Sequence, residues 1–198
     1  MSKIAIKGAT TGTGVFTLES PATNTDRTLI LPDEAGTVLT SASDVAQKGV
    51  PAFQASLSAN FTVTSGVNTK IPLDIEVFDT ASCFNNTGST VNGIPAYSFM
   101  PNVAGYYQFT IRSGAEATAG LSYNYMRLMK NGAGESISIY GPYNGNSSYG
   151  THADLVYMNG TTDYVELYIA VAGSGTVYLS GSASSKYTAL AGVLVRAD

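Results

Sequence analysis

Phe99-Met100-Pro101-Asn102-Val103-Ala104-Gly105-Tyr106-Tyr107-Gln108-Phe109-Thr110-Ile111 is the stretch whose reading decides the fold class. In its second half Tyr107, Phe109 and Ile111 are apolar, and Gln108 and Thr110 between them are polar. Successive side chains of a strand point to opposite faces, so this is a half-buried antiparallel strand. Val165-Glu166-Leu167-Tyr168-Ile169-Ala170-Val171 repeats the pattern, with apolar odd positions and Glu166 on the other face. A third segment differs. Ala189, Ala191, Val193 and Val195 share one face, Leu190, Gly192 and Leu194 the other, and both faces are small or apolar. Such a strand lies under a covering layer or at a subunit interface, and its position at the end of the chain favours the interface.

Outward from these runs, residues 51–198 read as short β-type segments punctuated by Gly, Asn and Ser. Strands are expected at 52–57, 60–64, 69–71, 75–78, 96–100, 105–113, 125–130, 135–140, 153–158, 163–172, 175–181 and 187–196. No long helix pattern occurs. The expected class is all-β, an antiparallel jelly-roll sandwich. Residues 41–50 read as a linker, and residues 1–40 form a separate segment. In that segment 15–19, 28–31 and 37–40 are strand-like, but the whole is too short to bury its own apolar face. Leu29, Ile30 and Leu31 are consecutive, so both faces of one strand are apolar. Phe16, Leu18, Leu29, Ile30 and Leu31 are therefore candidate contacts with another body.

Composition excludes several functions. Charged residues are 12% of the 198, about half the usual ~25%. The net charge is −4 and the ten basic residues are scattered, which excludes nucleic acid as a main partner. Cys83 is the single cysteine, so no intrachain disulfide forms, and it reads as a small buried side chain. His152 is the single histidine and has no Cys or His partner for a metal. Asp74, Asp79, Asp154 and Asp163 carry oxygen ligands suited to calcium, but no spacing demands it, so no metal and no cofactor are assigned. Glycan hydrolysis needs paired carboxylates, and acidic residues are sparse. Gly12-x-Gly14 lacks the lysine of a phosphate loop. The expectation is a protein that is not an enzyme. Met1 to Lys7 holds no apolar run for a secretion signal or a membrane span, so synthesis in a cytoplasm is expected, without membrane insertion.

Two resemblances follow from these residues. Phe53-x-Ala55-x-Leu57-x-x-Asn60-Phe61-Thr62-Val63, Lys70-Ile71-Pro72-Leu73 and Val77-Phe78-Asp79 resemble the first strands of the complement globular-head domain. Phe99-x-Pro101-x-x-Ala104-Gly105-Tyr106-Tyr107-x-Phe109 is similar to that family's signature, and Leu128 to Gly132 to its central strand and turn. Asp154 to Met158, Asp163 to Leu167 and Tyr187-x-x-Leu190-Ala191-Gly192-Val193-Leu194 resemble its closing strands. The likeness spans roughly residues 52–196. It implies a ten-stranded jelly roll of the tumour-necrosis-factor type, assembled as a homotrimer. Separately, Gly12-x-Gly14-x-Phe16-Thr17-Leu18, with Asp26-Arg27-Thr28-Leu29-x-Leu31-Pro32-Asp33-x-x-Gly36-Thr37-Val38-Leu39-Thr40, resembles a segment near the N-termini of tailed-bacteriophage fibre and other virion proteins.

Tyr106, Tyr168, Tyr187, Leu190 and Leu194 are the expected trimer contacts, because Tyr buries area while keeping a polar handle. For Tyr107 a place in the core is the stronger reading. Tyr140, Tyr143, Asn144, Asn146 and Tyr149 lie in a Tyr/Asn/Ser/Gly-rich stretch read as a loop, with the vocabulary of an antibody paratope. It contacts a ligand such as a host surface glycan, contacts a neighbouring subunit, or is a turn between strands. Two functions result. One is a homotrimeric capsid decoration or cement protein, or a short head fibre, whose N-terminal segment binds other virion proteins such as the major capsid protein or tail components. The other is the receptor-binding tip of a tail fibre. Both place the protein on a virion surface after synthesis in a bacterial host.

Overall fold

A computed structural model describes residues 50–140 and 145–198, together with Thr11, Thr13, Thr17, Ala22, Asn24, Thr25, Asp26 and Thr28; the side chains of Ile137, Ile139 and Tyr140 lie outside the description. The chain divides into two units, Met1–Ala42 and Ser43–Asp198. The strands expected before residue 41 and the candidate contacts Phe16, Leu18, Leu29, Ile30 and Leu31 lie outside the described residues, as do Tyr143 and Asn144.

Among the described residues the second unit is all strand, without a helix. Its elements are β1 (Ala52–Ser56), β2 (Phe61–Val63), β3 (Thr69–Lys70), β4 (Ile75–Asp79), β5 (Phe84–Asn85), β6 (Ser98–Phe99) and β7 (Ala104–Ala117). They continue as β8 (Leu121–Lys130), β9 (Ala133–Tyr140), β10 (Ser147–Asn159), β11 (Val165–Gly173), β12 (Val177–Leu179) and β13 (Ala189–Ala197). Ten of the thirteen are three residues or longer; β3, β5 and β6 are two-residue pairings. A seven-stranded sheet runs β2-β12-β7-β13-β1-β4, with β10 on the other edge of β7. A six-stranded sheet runs β5-β6-β11-β8-β9, with β3 on β11. All pairings are antiparallel.

The alternating segments do what their period dictates. Tyr107, Phe109 and Ile111 of β7 and Val165, Leu167, Ile169 and Val171 of β11 are buried and face each other across the sandwich. Phe53 joins the layers: its ring stacks on Phe99 at 4.2 Å and on Phe84 at 5.0 Å, and Phe99 meets Tyr107 and Phe109 edge-on. The Tyr107 hydroxyl donates to the Val103 carbonyl at 2.8 Å, which satisfies its one polar atom inside the core. The β8–β9 hairpin turns on Asn131-Gly132, both at positive φ (52° and 78°), as a two-residue loop between twisted strands requires. At Gly192 an added Cβ would stand 2.7 Å from the rings of both Phe53 and Phe109, so the gap in the apolar strand is where the aromatic layer passes.

Three boundaries differ from the sequence reading by four residues or more. β7 runs on to Ala117, β10 begins at Ser147 rather than 153, and β8 begins at Leu121 rather than 125. Ser, Gly and Asn have low strand propensity, but pairing overrides it here: Ser147 lies opposite Glu116 and Tyr149 opposite Gly114. Strand β5 had no alternation to reveal it.

Truncating the ring at the centre of the stack tests this core. Phe99→Ala should cost about 3–5 kcal/mol in equilibrium urea unfolding, as a large aromatic deletion in a packed core does.

Candidate functional site

On the seven-stranded sheet the inner face is core and the outer face is open. Register places the outward residues in rows across the strands. One row runs Phe78, Gln54, Ala191, Thr110, Ala153; the next runs Ala52, Val193, Gln108, Leu155. Tyr106 and Tyr157 follow at the end of the strands, with rings 5.4 Å apart and edge-on. Leu155 is 55% exposed, Phe78 46%, Tyr106 44% and Val193 41%. No charged residue stands in the two central rows, and their middle forms a shallow depression of about 360 Å³. An uncharged area that exposes large apolar side chains on an open sheet face is the mark of an interaction surface rather than of solvent exposure.

The opposite end of the same face is polar and aromatic. The Tyr149 ring lies over Gly114, where a Cβ would come within 2.9 Å of a ring carbon. Its hydroxyl donates to Glu116 at 3.4 Å. Glu116 also accepts from the Ser180 hydroxyl at 2.6 Å and the Tyr178 hydroxyl at 2.7 Å. The Ser180 and Tyr178 hydrogen bonds hold the Glu116 carboxyl below the ordinary glutamate range.

The residues expected at the trimer contact fall into three places. Tyr106 and Tyr187 belong to the open face of the seven-stranded sheet. Leu190 is fully buried in the chain's own core, and Leu194 faces inward, half-buried against it. Leu190 therefore has no surface to give to another copy. Tyr168 projects from the far side of β11, opposite Arg127 and Lys70 on the six-stranded sheet. These five residues do not form one surface. The face of β13 that is exposed carries Val193 and Val195, not Leu190 and Leu194. Of the expected ligand loop, Tyr140 ends β9 opposite Asn124, Asn146 is exposed in a bend, and Tyr149 belongs to strand β10, not to a loop. Sequence reasoning missed Phe78, Leu155 and Tyr157; the signal for Leu155 was its odd position in 153–158, out of phase with the buried Val156 and Met158.

Several other ionisable groups have structural partners. Cys83 is buried, its thiol pushed up by burial, and it donates to the Ala81 carbonyl at 3.4 Å. His152 Nε2 sits 3.3 Å from Ser136 Oγ. Asp79 accepts from the Ala81 and Phe84 amides, and Asp163 pairs with Lys130 at 3.1 Å and Asn131 at 2.7 Å. Glu166 is buried on the outer side of β11 and pairs with Lys70. Among the described residues no three His, Cys, Asp or Glu side chains come together as a metal site.

No family model matches the chain, and no curated protein matches it. Solved structures do. Murine APRIL at pH 5.0 superposes with a TM-score of 0.53 over 74% of this chain and 99% of that one, at 10% identity. Eiger TNF from S. frugiperda gives 0.52 over 74% and 92%, at 7% identity. The chain has the tumour-necrosis-factor-like jelly-roll fold. The globular domain of zebrafish complement 1qA aligns with 75% of this chain and 99% of its own, at 13% identity and a TM-score of 0.49.

Glu116 yields a pH prediction. Its folded pKa is below the unfolded value of 4.5, so its stabilisation is fully present above that pH and is lost as pH falls through the folded value. Glu116→Gln should flatten the acid limb of melting temperature against pH between neutrality and pH 3, and a variant with an unchanged limb would refute the assignment.

Proposed function

We propose that the chain is a homotrimeric virion structural protein of a tailed bacteriophage, a capsid decoration or cement protein or a short head fibre. It is made in the bacterial host's cytoplasm and works on the virion surface without catalysing a reaction. The observation that carries this reading is the pair of uncharged central rows on the outer face of the seven-stranded sheet, where register aligns Phe78 with Ala191 and Val193 with Leu155. Three copies around an axis cover such a face in a closed assembly, whereas a single copy leaves it in water. Tyr106 and Tyr157 extend the contact, and Tyr187 lies at its polar margin. The homotrimer is also what the complement globular-head resemblance implies. The attachment role rests on the motif in residues 12–40, with Phe16, Leu18, Leu29, Ile30 and Leu31 as its apolar contacts to the major capsid protein or other virion proteins.

In light scattering the full chain should have three times its 20.6 kDa mass. Val193→Asp should yield folded monomer, because an unpaired charge buried in a contact costs about 3–5 kcal/mol. Leu194→Asp should instead lower the melting temperature through the core. A Val193→Asp trimer as stable as the parent would remove this face from the contact.

Attachment is tested on capsids lacking the protein. The full chain should bind saturably, and a chain lacking residues 1–40 should not. Binding to intact host cells but not to capsids would favour the tail-fibre reading.

A further inference from the structure

The polar end of the seven-stranded sheet holds a cleft of about 240 Å³ lined by Arg112, Ser113, Tyr149, Gly150, Thr151 and Tyr187. Tyr149 is 58% exposed and Tyr187 43%, with ring centroids 6.0 Å apart and planes tilted by 52°. Two open aromatic walls at an angle make a V that accepts a ring edge-first against either plate.

Tyr149 is exposed but fixed. Gly114 supplies the floor on which its ring rests, and Glu116 accepts from its hydroxyl. Tyr187 follows Lys186, whose φ of 48° is left-handed, a conformation that non-glycine residues adopt at a cost and that gathers at functional positions. Plates held in place before a ligand arrives lose little freedom on binding.

Among the described residues no acid pairs with the charge in the cleft. Arg112 is exposed and makes no ion pair among the described residues. The nearest acid on the same strand face, Glu116, stands four residues along β7, roughly 13 Å away at strand rise. Its oxygens are taken by Ser180, Tyr178 and Tyr149. A guanidinium is a planar fork that matches a carboxylate bidentately.

We propose that this cleft binds a carboxylate-bearing sugar, with the pyranose C–H face against Tyr149, the ring edge toward Tyr187 and the carboxylate on Arg112. The volume is below the ~300–1,000 Å³ of drug-sized pockets, so one ring is held while the rest of an oligosaccharide stays in solvent. The site is built within one protomer, so it goes beyond the assembly reading and does not rest on it.

Calorimetric titration of the full-length protein with hexagalacturonate, maltohexaose and inorganic phosphate tests it. Hexagalacturonate should bind saturably, with one ring per protomer, and maltohexaose at least tenfold more weakly. Arg112→Gln and Tyr149→Ala should each weaken hexagalacturonate at least tenfold, while Arg127→Gln, which removes a cation on the other sheet, should leave it unchanged. If Tyr149→Ala melts early, Tyr149→Phe keeps the plate and should retain affinity within a few-fold. The proposal is overturned by absent saturable binding, equal maltohexaose affinity, equal displacement by inorganic phosphate, or unchanged affinity in Arg112→Gln.

Discussion

Strand β7 is hydrogen-bonded on both edges along most of its fourteen residues, to β10 on one side and to β13 and then β12 on the other. Its inner side chains, Tyr107, Phe109 and Ile111, are the middle of the core. Because a strand's period is two, fixing those three residues inward fixes Tyr106, Gln108, Thr110 and Arg112 outward. The neighbours then have no choice of face. Val193, Ala191, Leu155 and Tyr157 come out beside them, and a one-residue slip of either neighbour would turn its core residues out to solvent. The apolar outer surface is thus a consequence of how the core is registered. A chain with few charges has little with which to solvate that surface, which suits it to burial against another body.

The same register separates two kinds of surface on one sheet. In its central rows the outward residues are small or apolar, or carry uncharged amide and hydroxyl groups. Beyond Arg112 they are Tyr, Gly and Glu, each held by hydrogen bonds or close packing. The first kind suits contact with an identical copy, where area and exclusion of water matter. The second suits a small ligand, where a few placed groups matter.

Much of the fold was legible in the sequence because period-two alternation is a local signal, and β7 and β11 carry it cleanly. The Asn131-Gly132 turn was read through the complement globular-head resemblance, and the structure supplies its physical reason, since few residue pairs accept positive φ twice in succession. The face of β13 was harder to read. Ala189-Leu190-Ala191-Gly192-Val193-Leu194 is apolar on both sides, and only its pairing with β1 and β7 shows that Leu190 points in and Val193 out. Tyr149 was hidden by composition: Ser147-Ser148-Tyr149-Gly150 reads as a loop until β7 is long enough to pair with it. Glu166 carried no sign that Lys70, ninety-six residues away, would reach it.

If other copies of the chain cover the central rows of the seven-stranded sheet's outer face and leave the six-stranded sheet's outer face open, the two surfaces differ in reactivity. Hydroxyl-radical footprinting of the native assembly, read residue by residue by mass spectrometry, tests this directly. Phe78, Tyr106, Leu155 and Tyr157 should be protected well below their exposure in a single chain, with Tyr123 and Tyr168 labelled as that exposure dictates. Equal labelling of both faces, in proportion to single-chain exposure, would contradict the account.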